Sequence, residues 1–332
     1  MSVLTTPTFG RHKALRIGLA ARPWSAFAVL ASVTAVLLAL YGRGLWYFLD
    51  EWLFILDRHL TIADLVRPHN EHWSAVLVVI YRGLIDLFGT ASYFPFHLVL
   101  IGTHVFAASG VLALLLNVSS PRVAIAFATV FLAFGAGSDN LLWAFQIGFV
   151  LATGLGTWAL AVAPRRPGMA AVLLTIAVAT QGVGLFYLAA VALRLHRSRT
   201  VVWLALPVAV YAAWFAIAGT VGANHGAVSG VAVFFLYGLL ASAGSLIAGG
   251  PAVGLLFVCL AAVGWRAHAL TIWSASAIAG LFVGFGLIAL ARGDLDLTFA
   301  AAPRYLYACA PFVMVSCLAG VPTMPTSGTF CT

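Results

Sequence analysis

The ionisable side chains of this chain are few, and they crowd into one short stretch. Between Asp50 and His72 lie Asp50-Glu51, Asp57-Arg58-His59, Asp64, Arg67 and Pro68-His69-Asn70-Glu71-His72. Five of the nine acidic residues in the 332-residue chain sit there. Asp50 and Glu51 are adjacent carboxylates just beyond a long apolar run. A carboxylate at a lipid–water boundary and beside a like charge is expected to have a raised pKa and to work as a base. With arginines and histidines nearby, the pair suits removal of a hydroxyl proton beside an anionic leaving group. The plainer alternative is a solvated loop whose acids only keep it on one side of a membrane.

His69 and His72 are three residues apart with Glu71 between them. Zinc-binding H-E-x-x-H has its histidines four apart, so this is a different pattern. Together with Asp50 or Glu51 they leave room for a divalent cation. Contact with an acceptor or a phosphate, or a purely structural role in the loop, are the other readings.

Composition fixes what must position these residues. The chain is 63% hydrophobic and 8% charged, where a soluble domain carries about 25% charged residues. Its mean hydropathy is +1.06. Such a chain is solvated by lipid, and it reads as a single all-α polytopic membrane domain over 24–321. The net charge of +8 comes mostly from arginines scattered between apolar runs. That is the pattern of membrane-flanking loops, and it points to no nucleic-acid partner. Four cysteines without a C-x-x-C pair suggest neither a disulfide framework nor a zinc site.

Residues 1–23 read as a cytoplasmic tail and 322–332 as a disordered one. The apolar run 24–42 is too long for the usual h-region of about 7–15 residues and reads as a retained first helix. Further clear spans are 95–116, 141–162, 200–219, 270–291 and 305–321, with shorter ones at 122–138 and 251–266; two short helices within 168–196 bring the total to about ten. Two stretches are ambiguous. Residues 75–89 reach only about 22 Å, short of the roughly 30 Å hydrocarbon core, and carry Arg82 and Asp86 on one face. They read as an interfacial helix in a first extracytoplasmic loop, 43–94. Residues 168–196 read as two short helices meeting at Thr180-Gln181-Gly182-Val183-Gly184. A polar break at membrane depth must line a cavity or reach water. This arrangement puts 11 of the 17 basic residues on the cytoplasmic side and all nine acids on the other.

Several other residues carry readings of their own. Asp139 is placed to cap the helix that follows, or to serve as a second acid. Gln146 suits a bond to a neighbouring helix. Trp46, Trp52 and Trp73 suit interfacial anchors or sugar stacking. Asn224-His225-Gly226 suits a turn. The Asn117-Val118-Ser119 glycosylation pattern falls on the cytoplasmic face.

Several of these motifs, in this order, resemble the GT-C superfamily of membrane glycosyltransferases, which includes protein O-mannosyltransferases and aminoarabinose transferases. Asp50-Glu51-Trp52 after the first helix resembles that family's acidic motif. Pro68-His69-Asn70-Glu71-His72, with the apolar helix ending Leu87-Phe88-Gly89, resembles the end of its first loop. Asp139 is similar in placement to its second acid, the break at 180–182 to its mid-chain break, and Pro303-Arg304-Tyr305 to its Arg-Tyr motif. The His-Asn-Glu-His loop end departs from the better-known branches, and the chain is shorter than many relatives. The resemblance implies a polyprenyl-phosphate sugar donor, an extracytoplasmic glycan, lipid or protein acceptor, and transfer with inversion in the plasma membrane. It implies Asp50 as general base, with Glu51 supporting it or binding the acceptor. Arg304, with Arg58 and Arg67 behind it, would hold the donor phosphate. His69, Glu71, His72, Asp139 and Tyr305 would hold the acceptor or support the site. No cofactor is implied beyond that divalent cation. A transporter or flippase needs ionisable groups along a path through the membrane, often in repeated halves, and no repeat is visible. A non-catalytic relative is the remaining alternative.

Overall fold

In a computed structural model, the structure describes residues 9–219, 228–247, 249–267 and 271–318. Asn224, His225 and the tail 322–332 lie outside them. Every regular element among the described residues is helical. In chain order the α-helices are α1 (Phe9–Tyr41), α2 (Asp50–Leu56), α3 (Ile62–Val66), α4 (Ala75–Phe88) and α5 (Phe94–Leu115). Then come α6 (Pro121–Leu132), α7 (Ser138–Leu142), α8 (Ile147–Val162), α9 (Pro167–Thr180) and α10 (Gly184–Leu195). The rest are α11 (Ala205–Trp214), α12 (Val228–Ser245), α13 (Gly250–Ala267), α14 (Ile272–Arg292) and α15 (Pro303–Leu318).

Their starts follow local chemistry. Pro121, Pro167 and Pro303 each open a helix, where the missing N–H would be unsatisfied anyway. Thr61 caps α3 by accepting from the Asp64 N–H, and Thr271 caps α14 by accepting from that of Ser274.

Among the described residues five helices are long and apolar enough to cross a membrane, and seven if each of two bent pairs makes one span. About ten spans were expected. The shortfall has a physical reason: α9 has 14 residues and α10 has 12, too short at about 1.5 Å per residue for the roughly 30 Å core. The first helix also begins at Phe9, inside the stretch read as a tail. The 168–196 segment does divide at the expected place, with α9 ending at Thr180 and α10 starting at Gly184.

The helix bearing the second half of the 141–162 run is central. In the Ala144–Val162 segment 83% of the apolar window is buried, against 17% for Pro23–Gly44 and 22% for Arg199–Gly219. Val33, Val36 and Leu37 of α1 and Val208 of α11 are correspondingly exposed, as lipid-facing side chains would be. α8 packs between α5 and α9, while α10 packs on α14, and α14 on α15. The first loop, α2 to α4, sits over one end of this bundle. It is fastened there by α4, whose Leu77, Val78, Tyr81 and Leu84 are buried on one face.

Candidate functional site

The two carboxylates at the start of α2 diverge. Leu49, just before them, has φ 47°, a left-handed conformation that a leucine adopts only under strain. From this corner Asp50 points outward, its side chain 35% exposed, while Glu51 is 0% exposed. One Glu51 oxygen accepts from Tyr81 Oη at 2.8 Å. The other accepts from the Phe48 N–H at 2.8 Å, Trp143 Nε1 at 3.1 Å and Tyr93 Oη at 3.4 Å. Glu51 therefore ties α2 to α4, to the start of α5 and to the kink before α8. Burial raises its pKa, and its hydrogen bonds offset that only in part. Glu51 is closed off from solvent, and its bonds fix the start of α2 beside Asp50.

Asp50 behaves oppositely to expectation. Its pKa is lowered, chiefly by a hydrogen bond from His69 and further by the charges of His69 and Arg304, against the effect of burial. The raised value belongs to its neighbour. His69 Nε2 stands 3.5 Å from Asp50 Oδ2 and 3.1 Å from the Asn70 amide. It can donate to Asp50 only if Asn70 turns its oxygen toward the ring.

Two of the three arginines expected to face a phosphate are engaged elsewhere. Arg58 is 5% exposed and donates to the carbonyls of Asp64, Arg67 and Pro68. Arg67 pairs with Asp64 at 2.9 Å and donates to the Asp57 carbonyl. Both close the loop on itself. Arg82 donates to the carbonyls of Phe54 and Ile55, capping the end of α2. Arg304, in the first turn of α15, is different. It forms no hydrogen bond or ion pair with another described residue and lies over the ring of Tyr305 at 5.3 Å. Its charge is felt at Asp50, Asp139 and His72. Asp139 does not cap a helix: it lies within α7, and no side-chain cap is formed.

The loop's far end is a two-residue turn. His69 and His72 exchange backbone hydrogen bonds at 2.9 and 3.0 Å. Asn70 and Glu71 between them have φ 47° and 64°, as a type I′ turn requires at both central positions. Asparagine suits the first; the second normally favours glycine, and here it is glutamate. The turn presses against the helix break: a methyl group on Gly182 would stand 2.7 Å from His72 Nδ1. Trp73 then stacks on Trp214 at 5.5 Å, and these two indoles donate to the carbonyls of Leu65 and Val66. Trp73 is thus a fastening between loop and α11, whereas Trp46 and Trp52 remain exposed.

Glu71 is bound bidentately by Arg292 at the end of α14, with Nη1–Oε1 3.2 Å and Nη2–Oε2 2.7 Å. Arg292 was not anticipated: in sequence it is one more basic residue ending an apolar run. Glu71, His72, Arg292 and Tyr305 form the polar end of a cavity of about 370 Å³. Its remaining wall is largely apolar, built by the break at Gly182-Val183, by Leu185 and Phe186 of α10, by Phe215, and by Leu287 and Leu290 of α14. Burial lowers the pKa of His72 to about 4; the surface it exposes meets the cavity, so the ring is neutral at physiological pH.

Asp50, His69, Glu71, His72, Asp139, Arg304 and Tyr305 thus come from four separate parts of the chain to one end of the bundle. Arg58 and Arg67 do not join them. Among the described residues no group of three or more His, Cys, Asp or Glu side chains could hold a metal ion: Glu51 faces inward and His72 faces the cavity. Comparison with family models, curated proteins and solved structures gave no match.

Proposed function

We propose that this protein is a membrane glycosyltransferase that moves a hexose or pentose from a polyprenyl-phosphate donor to an acceptor hydroxyl. The reading rests on one observation: an outward carboxylate, Asp50, beside His69, and a guanidinium, Arg304, over the ring of Tyr305, lie next to the segments whose Glu71, His72 and Tyr305 form the polar part of a largely apolar cavity. The acceptor hydroxyl gives its proton to Asp50 and its oxygen attacks the anomeric carbon. The bond from that carbon to the phosphate oxygen breaks, its electrons leave with the phosphate, and configuration inverts. Its lowered pKa keeps Asp50 ionised at the cost of basicity, so the proton is taken as the bond to phosphate breaks. Lipid phosphate is already a good leaving group, so the required help is charge stabilisation, which Arg304 supplies.

The sidedness belongs to the same proposal. The N-terminus is cytoplasmic, the Asp50 face extracytoplasmic, and the membrane the cell's plasma membrane. About ten crossings follow only if the shorter helices cross as well. The gathering of the loop's carboxylates with Arg292 and Arg304 at one end favours transfer over transport. The test is product formation by purified protein given a polyprenyl-phosphate sugar and a mixed acceptor pool. Asp50→Asn should lower transfer by about 100-fold or more with thermal stability unchanged. Full transfer by that variant removes Asp50 from the mechanism.

A further inference from the structure

Arg292 and Glu71 form a bidentate ion pair, and both line the cavity. The guanidinium side chain is 21% exposed and the carboxylate 15%. The glutamate reaches it from a backbone position with φ 64°, where a side chain is disfavoured. A surface ion pair worth little would not select such a residue there. The fork that accepts a carboxylate edge-on also accepts two oxygens of a phosphate. From Arg292 the apolar wall runs directly along its own helix through Leu290 and Leu287, and across to Phe186 and Phe215.

We propose that Glu71 is an internal occupant of a phosphate seat on Arg292. The seat takes the phosphate of a lipid whose chain enters the cavity, and Glu71 swings off as the phosphate arrives. This deepens the function proposed above and rests on it for the identity of the lipid, but the exchange itself needs no transfer chemistry. Four features of the site fit an exchange. The pair is electrically closed, so an anionic head must compete for the guanidinium while an uncharged head has no reason to open it. The turn is only two residues long and strained, so its release costs little backbone order. The next residue, Trp73, is stacked on Trp214, which keeps any movement within the turn. His72, neutral and in the same turn, leaves the seat without a second competing charge.

The experiment uses dodecyl phosphate and dodecanol as probes on the purified full chain in zwitterionic nanodiscs, followed by tryptophan fluorescence. Wild type should bind dodecyl phosphate saturably. Glu71→Gln, which keeps the shape and removes the competing charge, should bind it about tenfold more tightly, with dodecanol binding unchanged. Arg292→Ala should lose the phosphate probe. Should that variant fail to fold, the double variant E71Q/R292Q, free of a lone half-buried charge, should bind both probes alike. Equal affinity of wild type and Glu71→Gln for dodecyl phosphate overturns the exchange. So does no binding by wild type, or retention of phosphate preference without Arg292. Intact exchange without any sugar transfer would overturn the glycosyltransferase reading alone; transfer with no effect of Glu71→Gln would overturn the exchange alone.

Discussion

The first loop has two strained corners, and each pins a glutamate. At Leu49 the left-handed backbone delivers Glu51 to a pocket of neutral donors, Tyr81, Trp143, Tyr93 and the Phe48 N–H. At Asn70-Glu71 it delivers a carboxylate to a cation, Arg292, at the rim of a cavity. The first carboxylate is sealed in and joins four parts of the fold. The second stands where a ligand can compete with it. One acid type thus serves as a fold-holding node at one end of a 20-odd-residue loop and as an exchangeable contact at the other. The difference lies in what surrounds each carboxylate.

The comparison breaks first at Glu51. Its replacement by alanine leaves two buried phenols, an indole and a backbone N–H without their acceptor. Stability should fall by about 4 kcal/mol, with unsatisfied buried donors costing about 1–3 kcal/mol each. Glu51→Gln keeps an acceptor oxygen and should stay within about 1 kcal/mol of wild type. Thermal unfolding of the detergent-solubilised protein measures both. An alanine variant as stable as wild type would mean that Glu51 holds nothing together.

Most of this division was out of reach of the sequence. Composition alone announced a membrane bundle, and the Gly-containing interruption at 180–184 announced the break, because backbone polarity at membrane depth has few uses. Asp50, Asp139 and Arg304 could be gathered on one side by the distribution of basic residues between loops. The orientation of Asp50 relative to Glu51 could not. It depends on one left-handed residue, Leu49, whose type gives no hint of a positive φ. Arg58 and Arg67 looked available because pattern reading counts charges and cannot see that backbone carbonyls consume them. Arg292 was passed over for the converse reason: its partner lies 221 positions away in the chain. One signal was present, since an Asn-Glu pair between two histidines is a turn with an ill-suited second residue.

The two corners should also answer pH in opposite directions. Glu51 has a raised pKa in the folded protein. Its contribution is fully present below the unfolded value near 4.5 and is lost as pH rises through the higher folded value. His72 has a pKa lowered from 6.5 to about 4. The unfolded chain takes up its proton first, so the contribution of His72 is present above pH 6.5 and is lost as pH falls toward 4. For one group the slope is at most about 1.4 kcal/mol per pH unit, and less for His72, whose ring meets the cavity. Melting curves across that range should show Glu51→Gln flattening the alkaline side and His72→Gln the acid side. A variant that flattens the other limb would reverse the assignment.

The smallest effect is the sharpest test of strain. Leu49 is 61% exposed, so Leu49→Gly surrenders little buried surface. Glycine enters the positive-φ region without the Cβ penalty, which should stabilise the protein by about 1 kcal/mol. Against this, a glycine loosens the unfolded chain, which removes part of the gain. Transfer activity should move the other way, because Leu49 is what directs Asp50 outward while Glu51 is anchored behind it. The same change at Glu71 relieves a similar strain but discards the carboxylate that Arg292 holds, so Glu71→Gly should show no net gain. A Leu49→Gly protein that is less stable, or equally active, would mean that this corner stores no strain and that the aim of Asp50 is set elsewhere in α2.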